Sequence, residues 1–251
     1  TAFHTCFTNN TADGEDGGGL DFNGDSLIIQ NGLFDNNTAI DDGGGADIDA
    51  DYVFMDSVDV LQNTCYGSDG DGGGFNISSQ QVFMSYCSIM NNESDDDDGG
   101  GMELMCDTAF LHHLSVFGNS CDDEGGGFRI SSFARNTMES IHIEYSAIDS
   151  NFSGDIGGGA MIETGTVSII HSTLSKNVAV DDGGGIYNED ELSLCLSTVA
   201  NNKANTGDGG GIYNSIGTLI ITQTTIADNS AVDNGGGILN DADLTIGNTL
   251  L

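Results

Sequence analysis

Proline and tryptophan are absent from this 251-residue chain, and only four residues, Arg129, Arg135, Lys176 and Lys203, are basic. Forty acids stand against them, for a formal net charge of −36. A field of that sign repels phosphate backbones and anionic bilayers, which excludes nucleic acid and membrane surfaces as expected partners. No apolar run approaches the ~20 residues of a membrane helix, and no basic leader with an apolar core opens the chain, so membrane insertion is not expected. The six cysteines, Cys6, Cys65, Cys87, Cys106, Cys121 and Cys195, contain no Cys-x-x-Cys pair and no regular spacing. That speaks against a zinc site or a disulfide framework and for buried thiols, with room for one bridge.

Glycine is what the chain has in excess, at 38 residues. A helical glycine costs roughly 1 kcal/mol relative to alanine, so helix is a poor candidate for the main element. The glycines are also ordered. Triplets begin at residues 17, 43, 72, 99, 125, 157, 183, 209 and 235, most of them 26 residues apart. A second mark keeps step: an apolar residue, two variable ones, then asparagine. It is read at Asn10, Asn36, Asn63, Asn92, Asn119, Asn151, Asn177, Asn202 and Asn229. Two coupled marks recurring nine times define a repeat protein. Within each unit a short alternating stretch such as "LSLCLST" (192–198) or "TLIITQT" (218–224) has the period of a strand. Further short apolar elements follow the glycines and precede the asparagine.

Three short strands per ~26 residues, separated by Gly, Asn and Asp turns, describe one coil of a parallel β-helix. The expected fold class is therefore all-β: a parallel β-helix (right-handed by the resemblance given below) of about nine coils forming a single domain over residues 1–251, uncapped at both ends. At the ~4.8 Å spacing of strands, nine coils make a rod on the order of 43 Å long. Stacked asparagines can hydrogen-bond to one another and to turn backbone, which predicts a structural Asn ladder. The triplets supply a corner with positive φ or close backbone approach. A phosphate loop is excluded, because no Lys-Ser/Thr and no helix follow the glycines.

The two marks, spelled here as "GGGI", "GGGL", "GGGA", "GGGF" and "GGGM" with the asparagines above, resemble the FxxN and GGA[ILV] repeats of the chlamydial polymorphic outer-membrane proteins. The resemblance spans all nine units, and the wider fold is similar to that of pectin lyases. It implies an extracellular or cell-surface location and service as an adhesin, a fibrous stalk or a polysaccharide-active enzyme; the right hand of the helix also comes from this resemblance.

Each triplet is preceded within two positions by a carboxylate, and stacking should align these acids on one edge. Unit charges ~4.8 Å apart repel by roughly 1 kcal/mol in water and ~3.5 kcal/mol at an effective dielectric of 20. A cation would relieve that edge, and calcium suits an all-oxygen set of carboxylates and turn carbonyls. The candidate ligands are Asp16, Asp41, Asp42, Asp69, Asp71, Asp97, Asp98, Asp123, Glu124, Asp155, Asp181, Asp182, Asp208 and Asp233. Diffuse counterions on a solvated edge, or a halophilic surface, are the competing readings.

Weaker marks complete the reading. Asn9 and Asn76 are the candidate glycosylation acceptors among the sequons. The histidines are expected on strand surfaces, and Phe83, Phe110, Phe117, Tyr187 and Tyr213 in the core. A lyase would need a base near calcium-held acids, and Arg129 or Arg135 beside Asp122, Asp123 and Glu124 is the only place to build one. The expected function is thus non-enzymatic: an extracellular structural solenoid forming a fibre, filament or surface stalk, with Ca²⁺ on its acidic edge. Its partners would be copies of itself, stacked head to tail, or further coils of the same solenoid. The alternatives are a glycan-binding adhesin passenger and a polysaccharide lyase or hydrolase.

Overall fold

The computed structural model describes residues 1–67, 70–131 and 140–250, and among these there is no helix. The chain winds into a parallel β-solenoid of about nine turns. Every strand pairing is parallel, and the offset is that of the repeat: Ile186 lies beside Ile212, which lies beside Ile238.

Each turn is a triangle with three faces. The first face is the long sheet, of 15 strands. In the early coils its strands run unbroken for 11 residues, as in Phe75–Ser85 and Met102–His112. In later coils they divide, as in Ile186–Asn188 and Glu191–Cys195. The element after the glycines and the alternating stretch therefore belong to one face rather than two. The second face is built of three-residue strands such as Thr198–Ala200, and the third of two-residue strands such as Lys203–Ala204. The third face has no alternating pattern to announce it, since two residues cannot show a period.

Three faces need three corners, and each corner is one residue in the left-handed region. After the long sheet it is a residue such as Tyr86, Tyr145 or Leu196, with φ between 51° and 55°. Before the ladder asparagine it is Asn36, Asn91, Asn201 and their counterparts. At the third corner it is the first glycine of each triplet, for example Gly183 at φ 64°. The rest of that triplet has a different cause. A Cβ on Gly184 would lie 2.3 Å from the backbone carbon of Lys203, and one on Gly185 would lie 2.4 Å from the carbonyl oxygen of Gly211. The next coil's backbone occupies the space a side chain would need.

Alternation then fills the interior. The coil after Gly185 turns Ile186, Leu192, Leu194, Val199 and Ala204 inward, all essentially inaccessible, and its neighbours repeat the choice with Ile, Leu and Val. These columns form one continuous core along the axis. The same parity corrects the expectation for the aromatic residues. Val82, Met84, Ala109, Leu111 and Val116 take the inward positions, so Phe83, Phe110 and Phe117 point outward; Phe110 and Phe117 are exposed and Phe83 is half-buried. Tyr187 and Tyr213 are also half-buried on the outside of the long sheet. All six cysteines are free thiols, four of them buried.

Candidate functional site: the acidic corner and its neighbours

The polar columns share one construction, in which a side chain on one coil serves the backbone of the next. In the Asn column, Asn202 Oδ1 accepts the backbone N–H of Asn177 at 2.9 Å and its Nδ2 at 3.0 Å. Its own Nδ2 donates to Leu174 O and to Asn229 Oδ1. The pattern runs through Asn10, Asn37, Asn63, Asn92, Asn119, Asn151, Asn177, Asn202 and Asn229. The structure corrects one member: Asn37, not Asn36, sits in the column. In "LFDNN" the apolar mark is the buried Phe34 rather than Leu33, which shifts the asparagine by one. Asn36 occupies the left-handed corner at φ 55° and donates to Asn9 Oδ1 on the outside.

Two further ladders lie outside the sequence reading. Asn188, Asn214 and Asn240 stack through their side-chain amides, and the spelling "IYN", "IYN", "ILN" carried that signal. Ser146, Ser172, Ser197 and Thr224 pass hydroxyl acceptors from coil to coil. The second sequon position is corrected as well. Asn76 is 4% exposed in the long sheet and donates to Asp47 Oδ1, so the folded chain does not present it as a glycosylation acceptor. Asn9 is exposed.

The acids before the glycines divide into two columns with different surroundings. Glu15, Asp123, Asp155, Asp181 and Asp233, two positions ahead of the triplet, are exposed, whereas Asp41 and Asp97 are half-buried. The inner column, immediately ahead of it, contains Asp16, Asp42, Asp71, Asp98, Glu124, Asp182 and Asp208, interrupted by Ile156 and ended by Asn234. Here too one coil serves the next. Oδ1 of Asp42 accepts the N–H of Asp71 at 2.9 Å, Asp98 that of Glu124 at 2.8 Å, and Asp182 that of Asp208 at 2.6 Å. Asp69 and Arg135 lie outside the described residues.

Facing the inner column is a third one, the second residue after each triplet: Asp21, Asp47, Asn76, Glu103, Arg129 and Met161, in register across neighbouring strands. Glu103 is 1% exposed. Its Oε1 accepts from Arg129 Nη1 and from Ser131 Oγ, each at 2.6 Å. Arg129 also reaches Glu163 at 3.1 Å, Asp98 at 3.2 Å and Glu124 at 3.6 Å. Four carboxylates hold the guanidinium charged, and their field raises its pKa despite burial. A base that must give up its proton is the opposite of what this setting favours.

Burial is the main force on the acids themselves. Asp42 is pushed up to about 6 by desolvation, with Asp16, Glu103 and Asp41 adding repulsion. Asp47 rises to about 7 by burial and by the charges of Asp42, Asp16 and Asp21. Asp98 also rises to about 7 by burial, although Arg129 and the Glu124 N–H oppose the shift. Asp71 goes furthest, to about 10, from burial, the adjoining Glu103 carboxyl and the charges around it. Oxygens of Asp71, Asp97 and Asp98 lie within 4.8 Å of one another, close enough to share an ion. A second group, Asp95, Asp96 and Asp122, is exposed.

The outward aromatic residues form columns of their own. Phe83, Phe110 and His142 stack at 5.2 and 5.1 Å with rings within about 15° of parallel. Tyr86 stacks on His113 and Tyr145 on His171 at the neighbouring corner. Rings stacked along the axis spend their faces on each other and present edges to solvent, whereas a sugar-stacking platform needs a free face. No protein-family model, no curated protein and no solved structure matches this chain.

Proposed function

We propose that the chain is a structural β-solenoid: a stiff rod within an extracellular fibre, filament or surface stalk, with divalent cations bound along its acidic corner. The observation that carries this reading is the acidic corner, where Asp42 and Asp98 of the inner column and Asp47 of the facing column are desolvated and crowded by like charge. Such a column is a poor solvated surface and a good oxygen cradle for a hard cation. The coil-to-coil ladders support the rod, because each coil completes its polar groups only on a neighbour of the same kind. By the same logic, the partner at an end of the rod is a further coil, from this solenoid or from a second copy. The resemblance to polymorphic outer-membrane protein passengers, within a pectin-lyase-like fold, agrees with a surface location.

Thermal melting in chelator and in millimolar Ca²⁺, at constant ionic strength, tests the cation part; coincident curves would refute it. Negative-stain images of the same samples test the rod, which fails if only dispersed particles are seen at every concentration. A glycan-binding adhesin is the second reading, favoured by the outward column of Tyr52, Phe83, Phe110 and His142. The consumed ring faces place it second, and saturable binding of a neutral oligosaccharide that Phe110→Ala abolishes would reverse the order.

A further inference from the structure

The unsatisfied polar atoms of the solenoid are not scattered. Among the described residues, five buried side-chain atoms have no hydrogen-bond partner: Asp71 Oδ1, Asn76 Oδ1, Glu103 Oε2, Arg129 Nε and Asn188 Oδ1. The first three are oxygens on two successive coils, flanking the same corner. Asp71 and Asn76 bracket the triplet at 72–74; Asp97, Asp98 and Glu103 bracket the next one, at 99–101. Asn76 turns its Nδ2 toward Asp47 on the preceding coil, which leaves its Oδ1 on the side of Glu103, its register neighbour on the following coil. Glu103 spends Oε1 on Arg129 and Ser131, leaves Oε2 without a partner, and lies within hydrogen-bonding reach of the Asp71 carboxyl, so without an ion these two acids can only share a proton.

Buried acceptors that converge without a donor cost free energy, on the order of 1–3 kcal/mol each. Native structures pair such groups, or place an ion or water among them. A water has two hydrogens to offer here, and the carboxylates outnumber the one guanidinium beside them four to one. We propose that Asp71, Asn76, Asp97, Asp98 and Glu103 form one built site for a single divalent cation of calcium's size. The chemistry of the set is all oxygen and mostly anionic, which selects a hard cation over zinc or copper. The Asp71, Asp97 and Asp98 oxygens lie within 4.8 Å of one another, close enough to share one ion, and the number of oxygens converging here suits Ca²⁺, which takes six to eight, better than Mg²⁺, which keeps its waters.

The inference deepens the cation part of the proposed function, from an edge that gathers counterions to one stoichiometric position, and it brings in two ligands, Asn76 and Glu103, that lie after the glycines. Equilibrium dialysis of the whole chain with Ca²⁺ alone, in 0.15 M NaCl at pH 8, tests it. The salt screens diffuse counterions and leaves a half-buried site occupied. The expected result is one saturable ion per chain, weakened at least tenfold by Glu103→Gln and by Asp71→Asn, and unchanged by Asp181→Asn in the exposed column. Should Glu103→Gln fail to fold, Asp97→Asn at the half-buried mouth of the site replaces it. A chain with no saturable ion, or with the same affinity in the site variants, overturns the proposal. The broader reading fails separately: a calcium-dependent rise in melting temperature that survives in Glu103→Gln keeps cations on the edge and removes this site. A calcium-dependent rise that Glu103→Gln abolishes completely keeps this site and removes cations from the rest of the edge.

Discussion

The dipeptide Asn201-Asn202 offers a sharp test, because the ladder assigns its two halves opposite weights. Asn202 is 1% exposed and makes four side-chain hydrogen bonds. Truncation to alanine removes all four. Two of the partners keep other bonds: Asn177 Nδ2 still donates to Ile148 O, and Asn229 Oδ1 still accepts the Asn202 N–H. The Asn177 N–H loses its acceptor in a buried setting, at a cost of about 1–3 kcal/mol, and the other three bonds contribute about 0.5–1 kcal/mol each. The sum is a loss of roughly 2.5–6 kcal/mol. Asn201 is exposed at φ 58°, a conformation glycine adopts without strain, so Asn201→Gly should change stability by less than about 0.5 kcal/mol. Urea unfolding followed by circular dichroism gives the comparison. Amide exchange of the flanking coils accompanies it, since repeat arrays need not unfold in one step. If Asn202→Ala unfolds at the wild-type urea concentration, or if Asn201→Gly costs as much, the ladder does not hold the coils together as argued.

Two further outcomes follow from the acidic corner. Asp42, Asp47 and Asp98 have folded pKa values of about 6 to 7, above the unfolded value near 4, so the folded chain holds protons that the unfolded chain releases. Their contribution is fully present below pH ~4 and is lost as pH rises through 6–7. In chelator the melting temperature should therefore fall between pH 5 and 8, by an amount worth about 1 kcal/mol per group after discounting for partial exposure. Melting that is flat or rises over that range contradicts the assignment. Arg129→Met should destabilise by about 3–5 kcal/mol, because it leaves Glu103 buried without its counter-ion. The double variant Arg129→Met/Glu103→Leu should recover most of that loss in the same melting assay, and equal instability of both would refute the pairing.

The fold was legible because its causes repeat. Nine copies of the triplet and the asparagine mark each report a corner, and only one backbone path brings them into columns. What escaped the sequence was phase and parity. At "LFDNN" two asparagines compete for one position, and only the burial of Phe34 shows that Asn37 is the inward one. The outward aromatics were misassigned because an aromatic in a short strand fits either face, and the face is decided by neighbours such as Val82 and Leu111. Glu103 and Asn76 were invisible for another reason. Their column varies from Asp21 to Tyr213, so no repeated letter marks it, and its chemistry emerges only where two acids, an amide and an arginine meet in register.

The acid before each triplet therefore has two explanations, and the geometry separates them. Where Oδ1 caps the next coil's N–H, as at Asp42 and Asp182, the carboxylate has a backbone role that needs no ion, and Asp98, which caps Glu124 in the same way, has only its second oxygen to offer one. Across those rungs, spacing alone is no argument for calcium, because a charge-assisted bond offsets part of the repulsion. The column is also divided by Ile156, which separates the group around Arg129 from Asp182 and Asp208. Asp71 is different: its Oδ1 has no hydrogen-bond partner, and its carboxyl adjoins Glu103 instead. The backbone ladder loses its acceptor at the place where the facing column supplies another buried acid. That coincidence concentrates the demand for positive charge at one rung, and it is why the proposed ion is placed between residues 71 and 103 rather than along the whole column.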